Sequence, residues 1–492
     1  MRPLIRLIAL LVIPAAGALL AQERYDLRLT VDAIPVPAPM HALASGPELA
    51  RSPGGDLAMA WAERGGQGRF VLRVSEFDPA LGRWKPPATV AQGVALEGAQ
   101  SDTLSLAYGA QGCLALAWTR RDGAPRAMMA ESTDAGSEWS APVAVASAQL
   151  TGTEWPSVAA HPGGGWALAW ISDDGASKSR VWLRPDTRGG VAGPLGVPAS
   201  PLRPVVAAFG DGSGLVVFRG LTAAGARDPV GIRLEDNGVR ETSEISPDGW
   251  VAQAEKVPPV RLARSGPLAA LAWFSAAGDD PRILTSTTPD GGLRWTGAQR
   301  CDLGRAAGPV DVAILSDGTQ LVLWVENPGD DPSLPGGYYL RRYASNGATS
   351  MPARLAPLPP RGAPGPVRLA VLRDGEGVRT ELLAAWVQDG RLTCQRLRLP
   401  GAEQLGLLDA TCQCGPASVP GYPIRGRILK VDAGASSATI QHSPVPGLFR
   451  AGDLAVTLEP GLARNLAPGR EFLGRIERHG GVWRLSDVRL FD

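Results

Sequence analysis

The 492-residue sequence predicts an all-β protein in which a β-propeller of four-stranded blades is followed by a small five-stranded barrel of the OB type. The first observation is an apolar strand after a glycine-containing turn that recurs at intervals of roughly 50 to 60 residues, a spacing that suits propeller blades. The second is the lack of any 3.6-residue period within the repeats. The third is a series of five alternating segments over about the last 70 residues.

The repeated strand is apolar throughout and in most copies ends at or near tryptophan. Its seven copies are Leu57–Trp61, Leu114–Trp118, Trp166–Trp170, Leu215–Phe218, Leu268–Trp273, Leu321–Val325 and Leu382–Val387. Further strand-like segments precede and follow each copy, which favours seven blades; six blades with one repeat in an irregular insertion is the alternative. Tyr25–Val36 alternates polar and apolar residues and is expected to complete the last blade, because ring closure needs a strand from the other terminus.

Two octets share the pattern Ser/Thr-x-Asp-x-Gly-x-x-Trp. Their pattern residues are Ser132, Asp134, Gly136 and Trp139, and Thr288, Asp290, Gly292 and Trp295. A hydroxyl and a carboxylate two residues apart can bond the backbone of a tight hairpin, and glycine accepts a positive φ there. The tryptophan would carry apolar surface into the gap between sheets. We therefore predict structural turns rather than catalytic acids. The octet resembles the Asp box of sialidase-like β-propellers.

Charge and the N-terminus limit the partners of the chain. The net charge of +1 provides no field that attracts nucleic acid or a membrane surface, and the arginines, scattered singly along strands, are interpreted as a solvated face. Arg2 and Arg6 precede the apolar run Leu7–Leu20 and then Ala21, which predicts a signal peptide over residues 1–21. The run is shorter than the roughly 20 residues of a membrane span, so we expect no stable anchor and a periplasmic or secreted mature protein.

The remaining chain divides by composition. We assign residues 22–411 to the propeller, 412–423 to a linker rich in Cys, Pro and Gly, and 424–492 to the barrel. The five cysteines are an odd number in an oxidising compartment, so at least one has no intrachain disulfide partner. Cys394 and Cys412 could pair across adjacent strands.

Part of the barrel resembles the periplasmic copper chaperones of Gram-negative metal-efflux systems, through Gly426–Asp432 and Ala438–Leu448. The resemblance places His442 at the family's metal-binding histidine, Arg450 at its capping tryptophan, and Asp453 and Ala455 at its two methionines. Thioethers select Cu(I), and this domain contains no methionine, so one expectation is a barrel that has lost its site.

The other expectation is a rebuilt copper(I) site. It would combine His442 with the thiolates of Cys412 and Cys414, and Asp453 would be a further candidate ligand.

The sialidase resemblance raises an enzymatic alternative. A sialidase-type glycosidase needs an arginine triad, a Tyr nucleophile paired with Glu, and an Asp acid. Tyr338 and Tyr339, beside Arg341 and Arg342, form the one plausible nucleophile region, and an ordinary aromatic strand is the favoured interpretation. An arginine cluster with a Tyr/Glu pair at the propeller mouth would favour the enzyme, and a closed or apolar mouth would favour a binding protein.

Three functional hypotheses follow. The first is a non-enzymatic binding or scaffold protein, whose propeller face binds a protein or a glycan and whose barrel is a degenerate or altered copper module. The second is an exported sialidase-type glycoside hydrolase. The third is a structural surface protein. No catalytic residue is assigned.

Overall fold

The computed structural model of the chain describes most of the sequence from Arg24 onward. The described residues are 24–25, 27, 29–36, 43–96, 104–147, 150, 152–173, 179–187, 193–195, 200–235, 238–253, 257–329, 335–345, 347–358, 364–375, 379–388, 390–399, 422–432, 434–442, 452–458, 462–464, 466–479 and 482–491. The signal-peptide region and the Cys412–Cys414 segment lie outside them.

Seven separate sheets follow one another along the chain, after the N-terminal strands β1 (Arg24–Tyr25) and β2 (Thr30–Ile34). Blade 1 contains β3 (Leu43–Arg51), β4 (Leu57–Arg64), β5 (Phe70–Asp78), β6 (Arg83–Trp84) and β7 (Ala88–Val94). Blade 2 contains β8 (Leu104–Tyr108), β9 (Leu114–Arg120), β10 (Arg126–Ser132) and β11 (Val143–Ala144). Blade 3 contains β12 (Glu154–Ala160), β13 (Trp166–Asp173), β14 (Ser179–Arg184) and β15 (Gly193–Pro194).

The next four sheets repeat this order. Blade 4 contains β16 (Leu202–Ala208), β17 (Gly214–Leu221), β18 (Arg227–Glu235) and β19 (Gly238–Glu244). Blade 5 contains β20 (Arg261–Ser265), β21 (Leu268–Ser275), β22 (Arg282–Thr288) and β23 (Gln299–Arg300). Blade 6 contains β24 (Ala306–Ile314), β25 (Gln320–Glu326), β26 (Gly337–Tyr343), β27 (Thr349–Ser350) and β28 (Ala353–Pro357). Blade 7 contains β29 (Val367–Arg373), β30 (Glu381–Gln388) and β31 (Arg391–Arg398).

The apolar cores lie between blades. Each of the seven predicted apolar strands is the second strand of its blade, and its side chains on both faces are buried against neighbouring sheets. One cluster joins every pair of neighbours, and the cluster between blades 7 and 1 contains Leu383, Cys394 and Trp61. The ring of seven blades is therefore closed, which confirms the predicted propeller and the higher blade number.

The N-terminal segment closes the ring as predicted. β2 pairs with β31 in antiparallel register, Thr30 opposite Arg398 and Ile34 opposite Cys394, and becomes the fourth strand of blade 7. The sequence did not predict the second attachment, in which β1 pairs with β27 of blade 6 in parallel. The N-terminal strands thus bond to two consecutive blades.

Non-sheet elements are few. The described residues contain short 3-10 turns at Gly66–Gly68, Ala110–Gly112, Ala277–Asp279 and Leu462–Arg464, and no α-helix. Three of these turns connect strands of one blade. Among these residues no helix has the length and apolar character needed to cross a membrane.

The C-terminal segment forms the closed five-stranded barrel that the sequence predicts. Its strands are β32 (Tyr422–Asp432), β33 (Ser437–His442), β34 (Gly452–Leu458), β35 (Glu471–His479) and β36 (Val482–Phe491). They pair in the order β32-β33-β34-β36-β35 and β35 returns to β32. Ile428, Ile440 and Phe472 are fully buried within its own apolar core.

Candidate binding site

A cavity of about 310 Å³ lies where the innermost strands of the seven blades converge. These strands are the first of each blade: β3, β8, β12, β16, β20, β24 and β29. Residues from all of them line the cavity, which is therefore the central channel of the propeller. We call the end at which the innermost strands begin the mouth, and the end at which they finish the base.

On each innermost strand, one residue occupies the same register position relative to the second strand of its blade. It lies opposite the residue that precedes the large aromatic side chain of the second strand, such as Trp61 or Trp273. We call these seven residues the channel ring: Glu48, Ser105, Ser157, Val205, Arg261, Asp311 and Arg368. Because blades repeat, a different side chain at each position gives each sector of the channel its own chemistry.

The charged members of the channel ring form one continuous network on blades 5, 6, 7 and 1. Arg261 contacts Asp311 at 3.1 Å through Nε and Glu48 at 2.8 Å through Nη2. The Nε atom of Arg368 donates to the other oxygen of Glu48 at 2.6 Å. Glu48 and Arg368 are 7% and 2% exposed, so this is a buried network whose charges compensate one another. The Glu48–Arg261 contact joins blade 1 directly to blade 5, which is three blades away around the ring.

The other members of the channel ring, Ser105, Ser157 and Val205 on blades 2, 3 and 4, are small. Ser105 Oγ accepts the backbone N–H of Val158 at 3.1 Å, and Ser157 Oγ accepts that of Val206 at 3.1 Å. These bonds use the hydroxyls to connect neighbouring blades, so the side chains stay against the wall. The channel consequently has a charged half filled by long side chains and an open half on blades 2 to 4.

Trp155 and Arg203 lie at the mouth above this open half. Each precedes a proline at a break in strand register, and proline is accepted there because it has no N–H to contribute. Both are left-handed, with φ of 48° and 47°, although neither is glycine. Such backbone costs about 1–3 kcal/mol per residue and persists where the surroundings enforce it. At blade 1 the corresponding residue is Gly46, for which a positive φ is unstrained.

The two side chains form a pair across the gap between blades 3 and 4. The Arg203 guanidinium carbon lies 5.5 Å from the centre of the Trp155 ring, within range of a cation–π contact. Thr119 of blade 2 holds the backbone of Trp155, because its Oγ1 accepts the Trp155 N–H at 2.9 Å. Both residues line the cavity, so the strained backbone presents an aromatic surface and a cation to its contents.

The segment from blade 4 to blade 5 packs beside this pair. Trp250 on that segment is buried with Leu202 and Val257, and Trp155 packs on the same cluster. The Arg219 guanidinium lies 5.7 Å from the Trp250 ring and donates to the Arg227 carbonyl at 2.9 Å. Arg219 is fully buried and burial lowers its pKa to about 10. The buried cluster therefore supports the wall of the mouth.

Buried arginines also correct an expectation from the sequence. The interpretation of the scattered arginines as a solvated face is wrong for Arg219, Arg227, Arg233, Arg341 and Arg368, each at most 8% exposed. Their long side chains reach carbonyl or carboxylate oxygens on other strands, as Arg341 does with the Cys301 carbonyl at 2.8 Å. The apolar stems pack between sheets while the heads are hydrogen-bonded.

An acidic pair under the same segment makes it sensitive to pH. Asp228, 2% exposed, accepts the Gly249 N–H at 3.0 Å, and Asp248 accepts the Trp273 indole N–H at 3.3 Å. Burial, together with a hydrogen bond to Asp248, raises the pKa of Asp228 to about 6. The protonated form is thus favoured in the folded state, and its stabilising contribution is lost as pH rises through that value.

We expect Asp228→Asn, which mimics the protonated carboxyl, to become more stable than wild type as pH rises. The gain should reach about 2 kcal/mol near neutrality and vanish near the pKa of an unfolded aspartate, about 4. Urea unfolding of both proteins between about pH 4 and pH 8 measures it. A stability difference that does not vary with pH would contradict the assignment.

The four tyrosines with described side chains, Tyr108, Tyr338, Tyr339 and Tyr343, do not line this site. Tyr338 and Tyr339 are 0% and 5% exposed, and their hydroxyls donate to the carbonyls of Val387 and Pro335. Neither lines the cavity, so the structure places this candidate region inside a blade interface. A Tyr/Glu pair does exist, since Tyr108 donates to Glu76 at 2.9 Å, but it too is away from the cavity, and burial raises the Tyr108 pKa, which opposes ionisation.

The Asp-box residues form two matching turns. Asp134 Oδ1 accepts the Ser132 hydroxyl at 2.7 Å and the Glu138 N–H at 2.9 Å, and Asp290 makes the same bonds with Thr288 and Arg294 at 2.9 Å. Gly136 and Gly292 have φ of 86° and 102°, and a Cβ on Gly292 would lie 2.7 Å from a Leu215 methyl group.

The position of these turns agrees with a structural role. The Ala135 N–H donates to the Gly112 carbonyl at 2.8 Å, in the turn that follows an innermost strand, so the box lies toward the base. Trp139 packs between blades 1 and 2, and Trp295 packs between blades 4 and 5. Neither aspartate faces the mouth.

The copper-site candidates divide between described and undescribed residues. His442 is 5% exposed and lies with Ala438 and Ile440 on the inward face of β33. Asp453 is opposite Gln441 on the exposed face of the wall, so it does not converge with His442. No group of three or more His, Cys, Asp or Glu suited to a metal occurs among the described residues. Cys412 and Cys414 lie outside them, so copper binding stays a prediction.

The three described cysteines are free thiols. Cys113 is half-buried, and Cys301 and Cys394 are buried. Burial raises the pKa of both buried thiols to about 12, so they are protonated at neutral pH and packed as apolar side chains.

Sequence reasoning missed the channel ring and the mouth pair. A sequence pattern for the channel ring was nevertheless present. In several blades a proline lies shortly before the ring residue, which varies, and Leu-Ala or Val-Ala follows it. Examples are Pro47-Glu48-Leu49-Ala50 and Pro156-Ser157-Val158-Ala159. Aligning these segments, rather than the more apolar second strands, would have isolated the variable position. The left-handed backbone of Trp155 and Arg203 has no comparable signal beyond the following proline.

Comparisons with known proteins give only distant structural matches. No family model and no curated protein matches the chain. Among solved structures, a Hadza microbial sialidase is 18% identical, with a TM-score of 0.42 over 57% of this chain and 63% of its own, so less than two thirds of that sialidase is covered. A lectin from Burkholderia pseudomallei is 15% identical over 75% of this chain and 98% of its own, with a TM-score of 0.47.

A third similar structure is the Trypanosoma rangeli sialidase, 10% identical over 88% of this chain and 69% of its own, with a TM-score of 0.39. The β-propeller assignment rests on the seven sheets of the chain itself.

Proposed function

We propose that the protein is an exported, non-enzymatic binding protein that takes a ligand at the channel mouth. The observation that carries the proposal is the Trp155–Arg203 pair, held in a left-handed backbone at the rim of the cavity. Strain of this kind clusters at ligand-binding sites, where structure is kept for function at some loss of stability. An aromatic ring beside a cation is a recognition surface for ligands with one apolar face and one polar group.

The shape of the site favours a small ligand or the end of a glycan over a flat protein surface. A volume of about 310 Å³ is at the lower end of the range of small-molecule pockets, about 300–1,000 Å³. The open half of the channel extends inward from the mouth pair and is lined by small side chains. A glycan is therefore the partner that we favour among those considered from the sequence.

Binding rather than hydrolysis is supported by the state of the charged groups. Arg261 and Arg368 are compensated by Glu48 and Asp311, so they are not poised together for a substrate carboxylate. The four tyrosines with described side chains are 0% to 6% exposed and none lines the cavity. A sialidase-type mechanism would need a tyrosine nucleophile in contact with the substrate. Export and a copper role for the barrel belong to the proposal as predictions from the sequence.

The proposal is tested with the mature chain, residues 22–492, on an array of defined glycans and in a hydrolysis assay with a fluorogenic sialoside. We expect binding to a restricted set of glycans, a loss of about tenfold or more in Trp155→Ala and Arg203→Ala, and no hydrolysis. Arg425→Ala is the matched control, because Arg425 is an exposed arginine on the barrel.

Two results would contradict the proposal. Release of the fluorophore by the wild-type chain would identify a glycosidase. Glycan binding that both mouth variants retain at full strength would place the site elsewhere.

A further inference from the structure

The arginines along the channel separate into two classes. Arg261 and Arg368 contact carboxylates of the channel ring. Arg51, Arg203 and Arg264 also line the cavity or its rim, and among the described residues none of the three makes an ion pair. Arg203 stacks on Trp155, and Arg264 extends into space that water reaches while the channel walls lower its pKa. A guanidinium that lines a cavity without a carboxylate partner is available for a charge-assisted hydrogen bond to an anionic ligand.

These three uncompensated arginines lie at two depths, because Arg51 is three residues after the ring position Glu48 and so lies level with Arg264. Arg203 is two residues before the ring position Val205 on blade 4, and Arg264 is three residues after the ring position Arg261 on blade 5. The offset is five residues on adjacent innermost strands, which at about 3.3 Å per residue corresponds to roughly 16 Å along the channel. One cation is therefore at the mouth and the other two are toward the base.

A path between them runs along the open half of the channel. Ser157 and Val205 have short side chains at ring level, whereas Glu48 and Arg261 fill the opposite side. Trp155 provides an apolar surface at the entrance, on which the apolar face of a sugar ring can stack. Carboxylate or sulfate groups repeated along the ligand would then meet cations at both ends of the path.

Resting on the proposed function, we propose that the ligand is a linear anionic oligosaccharide that enters at Trp155 and Arg203 and reaches Arg264. Several sugar units are needed to span the distance from Arg203 to Arg264. A single acidic sugar would occupy the mouth alone. Length dependence is therefore the property that distinguishes this ligand from any singly charged glycan.

The test is isothermal titration of the mature chain with oligogalacturonates from monomer to hexamer. Neutral maltooligosaccharides of the same lengths and sulfated chondroitin oligosaccharides are titrated in parallel, so that carboxylate and sulfate can be told apart. We expect affinity to rise with length by about tenfold or more and then to level off, and the neutral series to bind at least about tenfold more weakly.

Variants separate the two ends of the site. Arg264→Gln should reduce the gain with length, the double variant Arg51→Gln/Arg264→Gln should abolish it, and both should leave the affinity of the monomer and dimer unchanged. Arg203→Gln should weaken every length by about tenfold. Arg425→Gln controls for a general loss of positive charge, and circular dichroism checks that each variant is folded.

Equal affinity for neutral and acidic oligomers, or a full length dependence that survives Arg51→Gln/Arg264→Gln, would overturn this inference. If neutral glycans bind and Trp155→Ala removes that binding, the proposed function stands and only the anionic ligand is wrong. If no glycan of either series binds, both are wrong.

Discussion

Replacement of Glu48 by alanine should lower the free energy of unfolding by about 3–5 kcal/mol, the range for breaking a buried ion pair from one side. One carboxylate oxygen of Glu48 accepts a hydrogen bond from Arg368 at 2.6 Å, and the other accepts one from Arg261 at 2.8 Å. Arg261 would keep Asp311, but Arg368, 2% exposed, would lose the carboxylate that it contacts. Glu48 belongs to blade 1 and Arg368 to blade 7. The substitution would therefore remove an ion pair between the first and last blades of the ring.

Urea unfolding followed by tryptophan fluorescence measures this change. Glu48→Gln keeps the shape of the side chain without its charge, so its free energy of unfolding should lie between those of Glu48→Ala and wild type. Glu471→Ala provides the exposed counterpart, because Glu471 contacts Arg425 and Arg427 at 3.4 and 3.5 Å on the barrel surface, where a pair is worth about 0–1 kcal/mol. Similar losses in Glu48→Ala and Glu471→Ala would show that the channel network adds no more stability than a surface pair.

Much of the fold could be predicted because the blades repeat. The seven apolar strands recur with one register, and the strand from the N-terminus is implied by the need to close the ring. The Asp-box turns could be predicted from local chemistry alone, since Ser132, Asp134 and Gly136 bond within one hairpin. Each of these inferences uses residues close in sequence or a pattern found in every blade.

The candidate site was harder to predict because its residues are distant in sequence and differ between blades. Glu48 and Arg368 are 320 positions apart in the sequence, and no local pattern links them. Trp155 and Arg203 belong to different blades, and their proximity depends on the angle between sheets. Repetition predicts where a ring of side chains lies, whereas the variation among repeats determines what the ring can bind.

Glu326→Ala in blade 6 should have a comparably large effect, about 4 kcal/mol or more. Glu326 is fully buried and accepts three hydrogen bonds, from the Leu303 and Arg305 N–H groups at 2.9 Å and from the Trp324 indole at 2.8 Å. Alanine would leave the buried Trp324 indole and two partly buried backbone donors without a partner, at up to about 1–3 kcal/mol each, and a cavity beside Trp324. The variant should unfold at lower urea concentration than any of the mouth variants.

Blade 7 contains the matched control for this prediction. Gln388 stands at the same place after Trp386 and accepts only the indole N–H, at 3.3 Å, from a half-buried position. Gln388→Ala should therefore cost about 1 kcal/mol, the usual net value of one hydrogen bond. If the two alanine variants lost equal stability, the tryptophan bond that they share would account for the effect. A much larger loss in Glu326→Ala would show that the acceptor holds the connection between blades 5 and 6, where the two backbone donors lie.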